Sequence, residues 1–274
     1  MIEPTGPGDD VLAEAREILR TARSVLVLTG AGISADSGVP TFRGKEGLWR
    51  RHRPEELATP EAFERDPRLV WEWYAMRRDL VATCRPNAAH TAIARWQRRR
   101  THEVLIATQN VDGLHDVAWR QEAATGPDPD AASLLEVHGT LFRVRCSSCG
   151  AGRAHRDPID TTSTASLPRC TECDGLLRPD VVWFGESLDP TVIGRAFHFA
   201  GRADVCLVIG TSALVYPAAG LPAATVERGG RIVEVNPHPT PLTSRCAASV
   251  RAGAARAVPA IIPGADEPAL ARSR

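Results

Sequence analysis

The stretch that decides the fold is Ser24-Val-Leu-Val-Leu-Thr-Gly-Ala-Gly-Ile-Ser-Ala-Asp-Ser-Gly38, an apolar run followed at once by closely spaced glycines. A run of this length that ends at glycine is typical of a strand buried on both faces of a parallel sheet. The glycines allow a tight turn into a helix whose N-terminal N–H groups can hold a pyrophosphate. Taken alone, the motif is explained equally well by a plain turn after a buried strand.

Working outward from this stretch, four similar aliphatic runs follow at 104–108, 134–138, 205–209 and 231–235. Helical stretches are predicted between several of them, at 10–23, 68–83 and 217–228. This alternation predicts an α/β fold with a doubly wound, parallel, Rossmann-like sheet. Ligands of such sheets bind beyond the carboxyl ends of the strands, so functional residues are expected just after each run.

The expected domain organisation is one large domain with a smaller domain inserted. We assign 10–45, 85–139 and 179–262 to the large Rossmann-like domain. The smaller domain is expected to have a helical part at 46–84 and a cysteine-bearing module at 140–178. The length of 274 residues suits this arrangement, because single domains cluster near ~150 residues.

The charge balance limits the classes of partner. The 33 Lys and Arg residues match 33 Asp and Glu residues, which argues against a protein held to nucleic acid or to a membrane surface mainly by charge. The N-terminal sequence has neither the basic start nor the apolar run of a secretory signal, and no apolar stretch approaches ~20 residues. We therefore expect a cytoplasmic protein that is not in a membrane.

Four of the seven cysteines form two Cys-x-x-Cys pairs, Cys146/Cys149 and Cys170/Cys173, with 20 residues between the pairs. This spacing is typical of a tetrahedral zinc site, and in a reducing compartment it favours metal over disulfides. Four thiolates leave zinc no open position for water, so we expect one structural ion. A redox role for each pair lacks a thioredoxin-like context. A zinc-ribbon that binds nucleic acid would favour a basic chain, whereas this one is neutral.

Three polar residues at predicted strand ends are candidates for chemistry. His138 precedes Gly139 and could act as a general base near neutral pH, although most single histidines are hydrogen-bonded core residues. Asn110 and Asp112 are two residues apart and in an extended segment would point to one side. A carboxylate and an amide on one face suit the recognition of a carboxamide, and they equally suit an Asx turn.

The sequence near residue 50 differs from the pattern of NAD-dependent dehydrogenases. An acidic residue that binds the ribose is expected near residue 50 in that class, but the sequence there is Trp49-Arg-Arg-His52. A hydride-transfer Rossmann enzyme is therefore not expected.

Taken together, the motifs resemble those of the sirtuins and occur in the same order. They are Gly30-Ala-Gly-Ile-Ser-Ala-Asp-Ser-Gly-Val-Pro-Thr-Phe-Arg-Gly44, Thr108-Gln-Asn-Val-Asp-Gly-Leu-His115, His138-Gly139, the cysteine pairs, Val181-Val-Trp-Phe-Gly-Glu186, Gly210-Thr-Ser212 and Asn236-Pro237. The resemblance runs from the first strand to about residue 260. It departs from the family in a longer loop at 121–133 and in a weak match after Arg245.

The resemblance implies an NAD-dependent protein lysine deacylase, which releases nicotinamide and O-acyl-ADP-ribose and whose partners are acyl-lysine side chains of other proteins. It implies His138 and Asn110 as catalytic residues. The implied substrate-binding residues include Val182, Trp183, Phe184 and Gly185. The implied NAD-binding residues are Gly30, Ala31, Gly32, Ser34, Ala35, Thr41, Phe42, Arg43, Gln109, Asn110, Asp112, Gly210, Thr211, Ser212, Asn236 and Ala254.

Three further positions resemble the sirtuin subgroup, class III, that removes succinyl and malonyl groups. Tyr74 and Arg77 match that subgroup's pair for the acyl carboxylate, Ala58 matches its small pocket residue, and Thr41 also fits the subgroup. Residues three apart share one helix face, so a phenol and a guanidinium could bind one carboxylate. The alternative is that Arg77 and Arg78 form a solvated face, paired with Asp79 or Glu72.

Two other functions remain open on the residues alone. An NAD-dependent protein mono-ADP-ribosyltransferase would use the same early chemistry. A catalytically silent NAD-sensing scaffold would keep the cofactor residues, but His138 beside the Asn110/Asp112 pair argues against it.

Overall fold

The computed structural model describes residues 8–40, 54–122 and 133–264. Within them the strands are Ser24–Thr29 (β1), Glu103–Thr108 (β2), Leu134–Glu136 (β3), Gly139–Cys146 (β4), Gly152–Ala154 (β5), Leu177–Val181 (β6), Val205–Ile209 (β7), Arg231–Val235 (β8) and Ala248–Val250 (β9).

The α-helices of the same part are Asp9–Thr21 (α1), Pro54–Leu57 (α2), Pro60–Arg65 (α3), Pro67–Thr83 (α4), Ala88–Arg99 (α5), Leu114–Glu122 (α6), Pro190–Ala200 (α7), Leu221–Glu227 (α8) and Ala254–Ile261 (α9). Short 3₁₀ helices lie at Ala31–Ser37, Thr164–Ser166, Ala218–Gly220 and Thr243–Arg245. No helix in these ranges combines the length and the apolar character needed to cross a bilayer.

The predicted parallel sheet is confirmed. Its six strands run in the order β3-β2-β1-β7-β8-β9, and every neighbouring pair is parallel. All six residues of β1 are buried, as expected for a central strand covered on both faces. One apolar core lies between the sheet and helices α1, α5 and α9, and a second lies on the other face, under α7 and α8.

A second, smaller sheet has the order β5-β4-β6 and is antiparallel. Helices α3 and α4 pack on it around a separate core that includes Trp71, Trp73 and Leu141. The expected domain boundary between 178 and 179 falls within β6, because Arg178 and Pro179 both pair with β4.

Three details differ from the expected elements, and a fourth expectation lies mostly outside the described residues. Strand β3 ends at Glu136, so His138 lies between β3 and β4, just before Gly139, whose φ is +76°. The helix expected at 217–228 is a 3₁₀ turn followed by α8. Strand β9 was not predicted, since it has only three residues and its pairing with β8 is a tertiary contact. Most of the 121–133 loop lies outside the described residues.

Candidate active site at the carboxyl ends of the strands

The loops after β1 and β7 interlock. A Cβ added to Gly32 would lie 2.7 Å from Gly210 Cα, and one added to Gly30 would lie 2.7 Å from Thr211 Cβ. The Gly32 N–H donates to Gly210 O at 2.8 Å, and the Gly30 N–H donates to Ile209 O at 3.0 Å. The Gly30 and Gly32 N–H groups thus bind protein carbonyls, and their missing side chains let two backbones meet. The role of this loop in holding a pyrophosphate stays a prediction.

The loop after β2 supplies the predicted amide and carboxylate pair, and Ser34 joins them. Asn110 Nδ2 donates to Ser34 Oγ at 3.1 Å, and Ser34 Oγ donates to Asp112 Oδ2 at 2.7 Å. All three side chains are buried. Asp112 Oδ1 also accepts the Leu114 N–H at 2.9 Å, which is an Asx turn at the start of α6. The Asx-turn interpretation is confirmed for Asp112, and the recognition of a carboxamide by this pair stays a prediction.

Burial raises the pKa of Asp112, and the hydrogen bonds from Leu114 N–H, Ser34 and Asn110 oppose this rise. These three donors hold the Asp112 carboxyl in one orientation within the site. Such a rigid carboxylate and amide pair is suited to bind a polar planar group.

Behind this pair lies a buried polar network that the sequence analysis did not identify. Thr29 Oγ1 donates to Thr108 Oγ1 at 2.8 Å and lies 3.1 Å from His115 Nε2. The rings of His115 and His90 meet edge-on at 4.9 Å, and His90 Nε2 lies 3.4 Å from Ser34 Oγ. A signal was present in Asn87-x-x-His90, since His90 completes a capping box with Asn87 at the start of α5.

His138 is oriented by the backbone of the neighbouring loop. Its Nδ1 lies 2.9 Å from Gln109 O, and a carbonyl can only accept, so Nδ1 carries the proton and Nε2 has the lone pair. Burial lowers the pKa of His138, and the bond to Gln109 partly opposes this. The neutral imidazole is thus the form favoured near pH 7, with Nε2 able to accept a proton.

Gln109 links this histidine to the β7 loop. Its Nε2 donates to Thr211 Oγ1 at 3.1 Å, and Asn236 Nδ2 donates to Thr211 O at 3.0 Å. The strand-end residues of β2, β7 and β8 therefore form one connected edge, as the parallel sheet predicts. Ser212 lies on the same β7 loop, and Ala35 is exposed in the 3₁₀ helix after β1.

Ala254 lies at the far end of this edge. It begins α9 and is buried. A Cβ built on the preceding Gly253 would lie 3.5 Å from Asp36 Oδ2 in the 3₁₀ helix after β1. The predicted residues Thr41, Phe42 and Arg43 lie outside the described residues.

Tyr74 and Arg77 lie on the inner face of α4 and are buried, so the alternative of a solvated arginine face is wrong. The Arg77 guanidinium stacks 4.5 Å from the centroid of the Trp73 ring and 5.3 Å from that of Tyr74. Burial lowers the pKa of Arg77, and the contact with Tyr74 opposes this. Arginine nevertheless keeps its charge in proteins, so this is a buried cation.

The sequence also left open that Arg77 pairs with Glu72. Glu72 instead forms an ion pair with Arg68, one turn earlier on the exposed side of α4. The neighbouring Arg78 has a structural role, because its guanidinium donates to three carbonyls: Leu141 O, His155 O and Asp157 O.

The segment 182–185 crosses between His138 and α4. The Val182 N–H donates to His138 O at 3.0 Å, and the Phe184 N–H donates to Ala58 O at 2.9 Å. Trp183 is buried and packs its ring 5.5 Å from that of Phe63, while Phe184 is 53% exposed. The structure thus brings Ala58, predicted to widen an acyl pocket, beside Trp183.

Glu186 holds this segment in place. Its carboxylate accepts hydrogen bonds from both Arg178 and the Trp183 N–H, at 2.6 to 2.9 Å. The Arg178 guanidinium also lies over the Trp183 ring. Burial alone would raise the pKa of Glu186, but these hydrogen bonds keep it below its ordinary value. From the sequence, Glu186 is predicted only as part of the family motif 181–186, and its role in holding Trp183 is not predicted.

One cavity of about 80 Å³ lies between α4 and the loops after β1 and β2. It is lined by Arg77 from α4, by Asn110 and Asp112 from the β2 loop, and by Ala31 from the β1 loop. The predicted acyl-binding arginine and the predicted nicotinamide pair therefore face the same space.

The four paired cysteines converge at one end of the small sheet. Their sulfur atoms all lie within 4.8 Å of one another, with Cys146 and Cys173 at 3.5 Å and Cys149 and Cys170 at 3.7 Å. Zn–S bonds of ~2.3 Å in a tetrahedron place sulfurs ~3.8 Å apart, so the set fits one zinc ion. The Ser148 and Cys149 N–H groups point at Cys146 Sγ, as in a zinc knuckle.

Comparison with known proteins agrees with this geometry. The Sir2 family model matches residues 30–217. The NAD-dependent protein deacylase of Pyrococcus furiosus is 45% identical over 254 residues, covering 92% of this chain and 97% of the relative. That of Aquifex aeolicus is 48% identical over 221 residues, covering 80% and 86%.

Solved structures are similar over nearly the whole chain. A Sir2 homologue in complex with NAD has a TM-score of 0.82 and 41% identity, covering 97% of both chains. A Sir2 complex with a p53 peptide and NAD⁺ has a TM-score of 0.74 and 30% identity, covering 89% of this chain and 95% of the other. With its motifs, its sheet order and its cysteine cluster in agreement, this chain belongs to the Sir2 family, the sirtuins.

Proposed function

We propose that the protein is an NAD-dependent protein lysine deacylase that removes succinyl and malonyl groups as well as acetyl groups. The observation that carries the acidic preference is the buried Arg77 guanidinium, which lines the same cavity as Asn110 and Asp112. The membership of the Sir2 family and the names of the relatives support the deacylase activity.

The acyl chain would enter the cavity with its carboxylate toward Arg77 and Tyr74. A charge-assisted hydrogen bond is worth ~1.5 to 3 kcal/mol, which corresponds to a roughly ten- to hundredfold preference for an acidic chain. Desolvation strengthens this contact, since the guanidinium is already buried against Trp73. The small side chain of Ala58 supports a wide pocket.

When bound, NAD supplies the ribose that accepts the acyl group, with nicotinamide as the leaving group. The overall balance is acyl-lysine, NAD and water giving free lysine, nicotinamide and O-acyl-ADP-ribose. The residues at the strand ends would hold the dinucleotide along the edge formed by the β1, β7 and β8 loops. Asn110 and Asp112 would bind the carboxamide end, because their side chains are fixed through Ser34.

His138 would act as the general base. Its Nδ1–H is committed to Gln109 O, so Nε2 is the atom that takes a proton from a ribose hydroxyl. The Val182 N–H bond to His138 O ties the base to the segment beside the acyl chain. The proposed proton acceptor is therefore joined by a backbone hydrogen bond to the segment that lies beside Ala58.

The peptide that carries the modified lysine would lie across exposed apolar residues on two loops. Phe184 is 53% exposed on one, and Leu214 and Tyr216 are 51% and 77% exposed on the other. Backbone hydrogen bonds between the peptide and these loops would give modest sequence preference.

The test is incubation with NAD and matched acetyl-, malonyl- and succinyl-lysine peptides, with products identified by mass. We expect free lysine peptide and O-acyl-ADP-ribose, with Arg77→Met losing roughly ten- to hundredfold on succinyl and malonyl peptides and far less on acetyl. Arg78→Met is the matched control, since that arginine binds three carbonyls and the His155 ring and is not among the residues that line the cavity: it should lower stability and leave the succinyl-to-acetyl ratio unchanged. Equal loss on all three peptides in Arg77→Met would contradict the acidic pocket. ADP-ribose attached to protein in place of the free product would contradict the deacylase.

A further inference from the structure

Strand β8 has a carboxylate where its pattern predicts an apolar side chain. Glu234 is 1% exposed and alternates onto the same face as Ile232, which belongs to the core under α7 and α8. Three hydroxyls donate to this carboxylate, those of Thr240, of Thr243 at 2.8 Å and of Ser249 at 2.7 Å. Burial alone would raise the pKa of Glu234, but these hydrogen bonds and the charge of Arg251 keep it below its ordinary value. The carboxylate is therefore ionised near pH 7.

Arg251, the residue after β9, binds this carboxylate and also the loop after β8. Its Nη2 donates to Glu234 Oε2 at 3.0 Å. Its Nη1 donates to two carbonyls of the loop, Asn236 O at 3.2 Å and His238 O at 2.9 Å. Each of the two Nη1 protons thus has an acceptor, so one guanidinium joins the buried carboxylate to the backbone of this loop.

The loop held in this way lies at the strand-end edge of the site. Asn236 Nδ2 donates to Thr211 O, and Asn236 Oδ1 accepts the His238 N–H at 3.2 Å. In the sheet, β7 and β8 follow β1 on the side away from β2. With the nicotinamide end of NAD at the β2 loop, the adenosine half would therefore lie at the β8 loop.

We infer that Arg251 is a positioning residue for NAD, holding Asn236 O and His238 O so that the adenosine half of the dinucleotide meets a preformed loop. This rests on the proposed function, in which NAD lies along the strand ends. Both Nη groups of Arg251 are taken by protein acceptors, so the residue acts through the loop and not by contact with the dinucleotide. A loop that had to become ordered on binding would weaken the affinity.

The competing explanation is that the ion pair only closes the fold at this edge. Two substitutions separate the roles. Arg251→Lys keeps a charge beside Glu234, but one compact ammonium does not span both the carboxylate and the two loop carbonyls. Ser249→Ala removes a hydroxyl bound to both Glu234 and Arg251 and leaves the Nη1 bonds to the loop in place. The positioning role predicts weaker NAD binding only in Arg251→Lys, whereas the purely structural role predicts that affinity follows stability in both.

Both variants and the parent are compared by ADP-ribose calorimetry, by kinetics with NAD and an acetyl-lysine peptide, and by melting temperature. We expect Arg251→Lys to raise the Kd for ADP-ribose and the KM for NAD about five- to tenfold, with kcat and the KM for the peptide within about twofold. Ser249→Ala should lower the melting temperature and leave the Kd within about twofold. Arg245→Met is a second control, since that arginine is exposed in the neighbouring 3₁₀ helix and should change neither quantity. If affinity follows melting temperature across the set, Arg251 is only structural and the inference is wrong.

A double-mutant cycle tests the route through the loop. In an Asn236→Ala background, Arg251→Lys should weaken ADP-ribose binding by less than about threefold further, because part of the loop contact through which it acts is gone. Independent, multiplying effects would overturn the inference.

Hydrogen exchange of the parent gives a test that needs no variant. The His238 N–H, bound to Asn236 Oδ1, should already be protected in the protein without ligand. Exchange at the rate of an unstructured peptide would show that the loop is not preformed and would overturn the inference, as would a parent that binds no ADP-ribose. A parent that binds ADP-ribose but deacylates no peptide would overturn the proposed function alone, since the Kd values still test Arg251.

Discussion

The indole Nε1–H of Trp183 donates a 2.8 Å hydrogen bond to the phenolic oxygen of Tyr74, joining the segment beside the proposed base to the helix that carries Arg77. Since the Tyr74 oxygen is the acceptor in this bond, its own O–H remains available to donate toward an acyl carboxylate. Glu186 and Arg178 hold Trp183 from the other side. The proposed acyl pocket is therefore positioned by residues of two sequence segments more than 100 positions apart.

Replacing this indole tests that relationship. Trp183→Phe keeps a ring at the position but removes the donor, so Tyr74 loses its fixed orientation. We expect succinyl-lysine turnover to fall about three- to tenfold while acetyl-lysine turnover changes less than about twofold. Tyr74→Phe, which removes the hydroxyl itself, should give at least as large a loss on the succinyl peptide. If Trp183→Phe loses succinyl-lysine and acetyl-lysine turnover equally, this hydrogen bond does not contribute to acyl selectivity.

Removing the proposed base tests the chemistry. His138→Ala should lower deacylation by about two to four decades, the usual contribution of a general base, and leave NAD binding near normal. His198→Ala is the matched control, because that histidine is exposed on α7, away from the strand-end edge. Deacylation by His138→Ala at the parent rate would show that another group takes the proton.

The pH dependence follows from the environment of the same residue. Only neutral His138 can accept a proton, so kcat/KM should fall as the pH drops through its pKa. Burial lowers that pKa from the ordinary 6.5, so the falling limb should lie below pH 6.5. An acetyl-lysine peptide is the substrate of choice, since its acyl group does not titrate. A midpoint above 6.5, or a limb that persists in the residual activity of His138→Ala, would contradict the assignment.

Zinc should stabilise the small sheet. Because four thiolates close its coordination, we expect one zinc per chain by atomic absorption and a lower melting temperature after chelation. Cys149→Ser should reproduce the loss, whereas Cys84→Ser, outside the cluster, should not. Purified protein without zinc that melts at the same temperature before and after chelation would rule out a structural ion.

The interlocked loops predict a stability cost for adding a side chain to a glycine where the two loops meet. Gly32→Ala forces a Cβ against the Gly210 backbone, so we expect a loss of about 1 to 3 kcal/mol in the free energy of unfolding, measured in denaturant. Gly194→Ala is the control: it lies within α7 with nothing within 4 Å of the added Cβ, and should gain about 0.5 to 1 kcal/mol. Similar effects of the two substitutions would mean that the loops can separate freely.

Several elements could be predicted closely because local pattern decides them. Strands β1, β7 and β8 have the expected bounds, since an apolar run with a glycine or asparagine after it has few alternatives to a buried strand. Strand β9 could not be predicted, because a three-residue strand exists only through its pairing with β8. The burial of Arg77 could not be predicted either, since helical spacing places the residue on one face of α4 but does not show what packs against that face.

The alternation of aliphatic runs with helical stretches predicted the parallel sheet, and the spacing of the two cysteine pairs predicted their cluster, because both depend on residue type and spacing. The tertiary structure decided the rest. Only the folded chain shows that the Gly32 N–H binds Gly210, that Trp183 orients Tyr74, and that His90 lies behind Ser34. These are contacts between residues far apart in sequence, and their geometry arises when sheet, helices and loops pack together.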